Sequence, residues 1–216
     1  MQKKYGRLLL PALVLLALLG LVVSCASSGG GEEQGSSGSE DDMQGMAHSS
    51  ESTDDASEML MDNGEYSDER FIDATVPHPQ GAIEMAQVAL ENAEHPEILA
   101  LAEEIVATQE TEIAKLRGIK QELFGTSEVS VDMGAEEMEG MGMVMDPQEV
   151  ANQDPFDKAF IDNMIPHHES AIAMAQVVLE KSENPEIREI AEAIVDAQER
   201  EIKQMTSWRD EWYPEG

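Results

Sequence analysis

The sequence predicts an all-α fold, a four-helix bundle assembled from one helical hairpin used twice. Three observations carry that prediction. Two segments repeat at an offset of 89 residues, with 25 identities in the 43 positions from Phe71 to Ile113. Within each copy the apolar residues recur at helical spacing. No stretch of useful length alternates apolar and polar residues as a half-buried strand would. One hairpin cannot close a core, whereas two packed hairpins can.

The identities run the length of the copy. Phe71-Ile72-Asp73 matches Phe160-Ile161-Asp162, and Met85-Ala86-Gln87-Val88 matches Met174-Ala175-Gln176-Val177. Pro96-Glu97-Ile98 matches Pro185-Glu186-Ile187, and Gln109-Glu110 matches Gln198-Glu199. The first hairpin repeat is expected over residues 68–124 and the second over 154–216. In the second, Asp154-Pro155 marks a helix start, followed by Phe156, Phe160, Met164, Ala171, Met174 and Val178 at helical spacing. Asn184-Pro185-Glu186 then reads as a cap, a proline at the first helical position and an acidic first turn. Ile187, Ile190, Ala191, Ile194, Ile202, Met205, Trp208 and Trp212 supply the second apolar stripe. Residues 125–153 join the repeats. This connector is long for a bundle and rich in methionine: Met133, Met138, Met141, Met143 and Met145.

Ahead of the repeats lies an export signal. Lys3, Lys4 and Arg7 precede an apolar run from Leu8 to Val23 that is broken only by Pro11 and Gly20. The run is short for a span, which needs about 20 apolar residues, and suits a signal peptide over residues 1–24. Val22-Val23-Ser24-Cys25 resembles a bacterial lipoprotein signal, which makes Cys25 the expected lipidation site. An uncleaved anchor helix is the alternative, and either form puts the remainder outside the cytoplasm. Cys25 is the only cysteine, so no internal disulfide can form and core packing alone must hold the domain. Residues 25–67 are mostly Gly, Ser, Glu and Asp and are expected to be a disordered tether.

Net charge is −32. Cleavage before Cys25 leaves 10 basic residues against 45 acidic ones, a balance of −35. Such a chain offers no basic patch for nucleic acid or for an anionic membrane surface. Its acidity suits the gathering of cations, and equally a solvated surface that keeps an exported protein soluble.

The sharpest chemical cluster is Met164-Ile165-Pro166-His167-His168. At about 100° per residue, Met164, His167, His168 and Met174 fall within an arc of roughly 120° on one helix face. Met164 to His168 spans only about 6 Å of rise, while Met174 lies about 9 Å further on, in the core or at a second site. An antiparallel hairpin turning near Asn184 sets Met205 and Glu201 level with Met164 and His167. In the first copy Glu112 falls level with His78. Pro166 should bend its helix beside the histidines. Met85 and Met174 fit core packing as readily as ligation.

Phe160-Ile161-Asp162-Asn163-Met164-Ile165-Pro166-His167-His168, Ala171-Ile172 and Met174-Ala175 together resemble the signature of the DUF305 family. So does the ending Gln198-Glu199, Glu201-Ile202, Met205, Trp208 and Trp212. The resemblance implies a ferritin-like four-helix bundle and an exported copper-binding protein. The first copy departs from the pattern, with Thr75 in place of the first methionine and Pro79 in place of the second histidine. Only His78 and Met85 remain there, and Pro77-His78-Pro79 should interrupt the helix.

Met138, Met141, Met143 and Met145, with Met43-Gln44-Gly45-Met46-Ala47-His48, resemble methionine motifs of exported copper-handling proteins; a flexible Gly/Met linker is the plain alternative. Thioether sulfur is soft and uncharged, so it favours Cu(I) or Ag(I) without deprotonation, while imidazole also accepts Cu(II). The expected function is therefore copper binding without catalysis or an organic cofactor. The expected partners are copper ions and a membrane reached through the lipid anchor. A ferritin-like di-metal oxidoreductase would use Glu-x-x-His, which occurs at none of the five histidines. A metal-free surface interaction module is the third possibility.

Overall fold

The computed structural model describes residues 50–130 and 146–214. The signal segment, Cys25, Met43, Met46, His48, Met133, Met138, Met141, Met143 and Met145 lie outside them. Four long helices build the bundle. The first hairpin is α3 (Pro77–Asn92) and α4 (Pro96–Phe124). The second is α6 (Phe156–Lys181) and α7 (Pro185–Trp212). Three shorter helices complete it: α1 (Ser50–Met59), α2 (Asp68–Thr75) and α5 (Pro147–Ala151). The strands β1 (Met61–Asp62) and β2 (Glu65–Tyr66) form a small antiparallel ribbon between α1 and α2. Among the described residues no helix is long and apolar enough to cross a membrane.

Local chemistry explains the ends of these helices. The Asn184 side chain accepts from the amides of Glu186 and Ile187, and Pro185 opens α7. Ser67 caps α2 by accepting from the Arg70 amide. Gly125 ends α4 at φ 76°, a left-handed conformation that glycine adopts without steric cost. The Pro77-His78-Pro79 segment separates α2 from α3 at Val76, whereas α6 runs on through Pro166.

Helix α1 and the ribbon lie inside the stretch expected to be a disordered tether. Ala56, Met59 and Leu60 are the reason. Few as they are, they are buried against α6 and join an apolar core with Phe71 and Ile72. Order therefore begins before the first repeat. On the other hairpin the short helix α5 packs against α3 and buries Val150.

The core has two parts. One gathers Leu60, Phe71, Ile72, Leu116, Met174, Val178, Ile187 and Ile194. The other gathers Met85, Ile98, Ile105, Phe160, Met164, Ile202 and Met205. Along α4, α6 and α7 the change from one to the other falls near mid-height, and for the first copy it falls between α2 and α3. There the buried residues are polar: Thr75, His78, Gln109, His167, His168, Gln198 and Glu201. The bundle is two apolar plugs separated by a polar belt.

The duplication extends to the ion pairs. Lys120 is buried and hydrogen-bonded to Asp73, with Glu69 at 3.6 Å. The residues 89 positions on are Arg209 and Asp162, also paired, at 3.6 Å and about one-third exposed. The chain leaving α4 makes the difference. The Ser130 amide donates to Asp73 and Val129 packs on the core beside it, which shuts the first pair away from water. Removing one partner of a buried pair leaves the other charge without compensation. Lys120→Met should therefore lower unfolding stability by about 3–5 kcal/mol. Arg209→Met should cost less than about 1 kcal/mol. Urea unfolding of both variants checks this, and equal losses would contradict it.

Candidate metal centre

The belt contains the histidine cluster. His167 sits on α6 and His78 on α3, at equivalent positions of the two copies, and their ring centroids are 3.8 Å apart. His168 lies 6.1 Å from His167. All three rings are buried. The interrupted helix in the first copy therefore still delivers His78 to the centre.

Hydrogen bonds set the tautomers. His168 Nε2 lies 2.7 Å from Glu201 Oε2. A carboxylate offers only lone pairs, so Nε2 carries the hydrogen and Nδ1 keeps its lone pair. Ser170 Oγ donates to the His167 carbonyl at 2.8 Å and lies 2.8 Å from His78 Nε2. With its own hydrogen committed, the hydroxyl accepts from His78, whose lone pair is likewise on Nδ1. His167 has no such partner, because Gly81 occupies the position in the first copy that Ser170 holds in the second.

The consequence is a concentration of unsatisfied groups. Among the described residues both ring nitrogens of His167, Nδ1 of His168, Oε1 of Glu201, Oε1 of Gln109 and Gln198, and Oγ1 of Thr75 are buried without a hydrogen bond. Every one belongs to the belt. Such groups cost about 1–3 kcal/mol each when nothing satisfies them. Their convergence in one layer suits an ion or a polar cargo.

Electrostatics keeps the imidazoles ready for a cation. Burial, with His168 nearby, lowers His78 to about 3. Burial and the neighbouring His78 and His168 hold His167 well below the usual imidazole range. Both rings are neutral at neutral pH, so a cation meets lone pairs without displacing a proton. Glu112, the first-copy counterpart of Glu201, is pushed up to about 7 by burial and by the Glu201 charge, with Lys115 opposing.

Sulfur donors flank the belt. Met164 stands one turn before His168 and Met205 one turn after Glu201, so the two thioethers share the next level down. Both are fully buried in the same apolar part as Met85. Met174 lies in the opposite part, across the belt. Glu201 engages His168 rather than His167, with which spacing had levelled it. Among the described residues no three His, Cys, Asp or Glu side chains could hold an ion by themselves. An ion here draws on thioether sulfur or on small side-chain shifts. Neutral nitrogen and sulfur donors suit a soft or borderline cation.

Sequence reasoning passed over Gln109 and Gln198 as belt members. The available signal was a glutamine on the apolar stripe in both copies, four residues after Ile105 and Ile194. Asp157 was missed as well. It accepts from the Glu94 and His95 amides and from His95 Nδ1 at 2.6 Å, tying the turn of the first hairpin to the start of α6. The His95 ring also stacks on Trp212, with centroids 3.8 Å apart.

Comparison with known proteins agrees with this architecture. The sequence model of a family described as "Domain of unknown function (DUF305)" matches residues 17–120 and 68–209. The solved structure of CopM in its Cu(I)-bound form is 37% identical, with a TM-score of 0.61 over 69% of this chain and 99% of that one. Its Cu(II)-bound form is 38% identical, with a TM-score of 0.63 over the same shares. A putative secreted DUF305 protein from Streptomyces coelicolor is 25% identical, with a TM-score of 0.58 over 67% of this chain and 93% of that one. An uncharacterized protein, L153, of Acanthamoeba polyphaga mimivirus is 38% identical over 55 residues. That match spans 26% of this chain and 36% of the viral protein.

The neutral state of His167 predicts a pH signature in metal-free protein. Below pH 6.5 the unfolded chain binds a proton at His167 that the folded chain refuses, so stability present above that pH is lost as pH falls. His167→Phe removes this contribution. Between about pH 4 and 6 the slope of unfolding free energy against pH should flatten by about 1.4 kcal/mol per pH unit. Chemical denaturation across that range measures it, and parallel slopes in wild type and variant would refute it.

Proposed function

The chain belongs to the DUF305 family, and from that premise we propose that it is an exported copper-binding protein. It sequesters copper, or hands it on, through imidazole and thioether ligands. One observation carries this reading above the others. Two buried imidazoles, His167 and His168, have nitrogens with no hydrogen-bond partner among the described residues, in a layer beside buried methionines.

In this account His167, His168 through Nδ1, and His78 are the nitrogen ligands. Met164 and Met205 supply sulfur, and Glu201 orients His168. Met85 lies in the same apolar part and is an auxiliary donor; Met174 belongs to packing or to a second site. Met138, Met141, Met143 and Met145 in the connector capture the ion from solution and pass it inward. Copper is cargo, held as Cu(I) or Cu(II), and silver fits the same donors. The reading as a carrier rather than an enzyme is supported by relatives described by the metals they bind. A lipid on Cys25, after loss of residues 1–24, would hold the protein at the outer face of the cytoplasmic membrane or in the periplasm. The two hairpins, 68–124 and 154–216, then act as one binding body joined by the connector.

Competition of the mature protein against a Cu(I) chelator tests the proposal. Wild type should retain copper, and His167→Ala combined with His168→Ala should weaken it strongly. Deleting residues 138–145 should weaken it further. No copper retained by wild type would end the proposal. Glu201→Gln, which removes the carboxylate that orients His168, should reduce affinity by about 10–100-fold.

A further inference from the structure

One line of contacts runs from the surface of the bundle to its centre, and each link is 4.0 Å or shorter. Arg200 on α7 pairs with Glu104 on α4 at 3.0 Å. The same guanidinium nitrogen, Nη2, stands 4.0 Å from Oε1 of Glu201. The other oxygen of Glu201, Oε2, accepts from Nε2 of His168 at 2.7 Å. Arg200 and Glu104 are about half exposed, whereas Glu201 is buried. A surface pair is thus joined through one carboxylate to a ring of the metal centre.

The middle link is the unusual one. At 4.0 Å the guanidinium attracts Oε1 without a hydrogen bond, and Oε1 is buried with no other partner. A shift of about 1 Å would close the gap, and a charge-assisted bond to a carboxylate is among the strongest a guanidinium makes. Glu104 holds it back, because it already engages the nitrogen that would make the bond.

The first copy supplies a contrast. There the counterparts of Glu104 and Arg200 are Ala193 and Thr111, and the counterpart of Glu201 is Glu112, whose histidine is replaced by Pro79. The bridging pair is present where the carboxylate holds an imidazole of its own copy and missing where it does not. A guanidinium bonded to Oε1 would draw charge away from Oε2. That would loosen the hydrogen bond that makes His168 a better donor and set a positive charge nearer the ion.

We propose that Glu104 is a positioning residue for the metal centre: it keeps the Arg200 guanidinium at the surface, off Oε1 of Glu201, so that the carboxylate stays committed to His168. The inference rests on the copper-binding reading and adds to it a surface residue that sets the affinity from outside the centre.

Two measurements test it, one with copper and one without. Glu104→Gln should weaken retention of Cu(I) against a chelator about three- to tenfold. Arg200→Gln should not weaken it, and Glu104→Gln combined with Arg200→Gln should match Arg200→Gln alone. If Glu104 acted only by bracing α4 against α7, the double variant would be at least as weak as Glu104→Gln. In crystals of the metal-free Glu104→Gln variant, Arg200 Nη2 should lie within about 3.2 Å of Glu201 Oε1. A guanidinium that keeps its wild-type distance, or a double variant as weak as Glu104→Gln, would overturn the proposal. A wild type that holds no copper would instead overturn the function beneath it, and the metal-free crystals would still show whether Glu104 holds Arg200 back.

Discussion

Neither hairpin can bury its apolar stripe alone, so each has to be covered by the other. Two units of nearly the same sequence, packed face to face, bring equivalent positions together at the middle of the interface. His78 and His167 are such equivalents, and their rings touch because that geometry requires it. The apolar residues above and below then separate into two cores, and the polar residues of all four long helices are left sharing one layer. The polar layer is a result of how the repeat packs on itself.

A layer of unsatisfied polar groups works against stability, and the molecule compensates elsewhere. The apolar parts on either side are densely filled by Phe71, Ile72, Phe160, Met164 and Ile172, all fully buried. The Lys120–Asp73 pair fixes the end of α4 to α2, and Asp157 fixes the turn of the first hairpin to α6. These restraints hold the helices together around the polar belt. A pocket that satisfied all its own hydrogen bonds would have nothing left for a ligand.

The two copies diverge where the chemistry sits. Where the second copy has Met164, His168 and Ser170 the first has Thr75, Pro79 and Gly81, while most surrounding core positions stay apolar in both. Each difference has a local effect. Pro79 removes an imidazole from Glu112, and Gly81 removes a hydroxyl from His167. A symmetric scaffold thereby carries different polar groups in its two halves.

Much of this was legible in the sequence because it depends on local periodicity and short-range chemistry. The 89-residue repeat, the helical stripes, the Asn184 cap, the break at Pro77-His78-Pro79 and the grouping of Met164 with His167 and His168 all come from neighbours along the chain. The order over α1 was hidden, because three apolar residues in a polar stretch matter only when a distant helix is there to receive them. Likewise no spacing rule announces that Glu201 selects His168, that Gln109 and Gln198 are buried without partners, or that Asp157 reaches His95. Those are contacts between elements far apart in sequence, and only the packing of one hairpin on the other decides them.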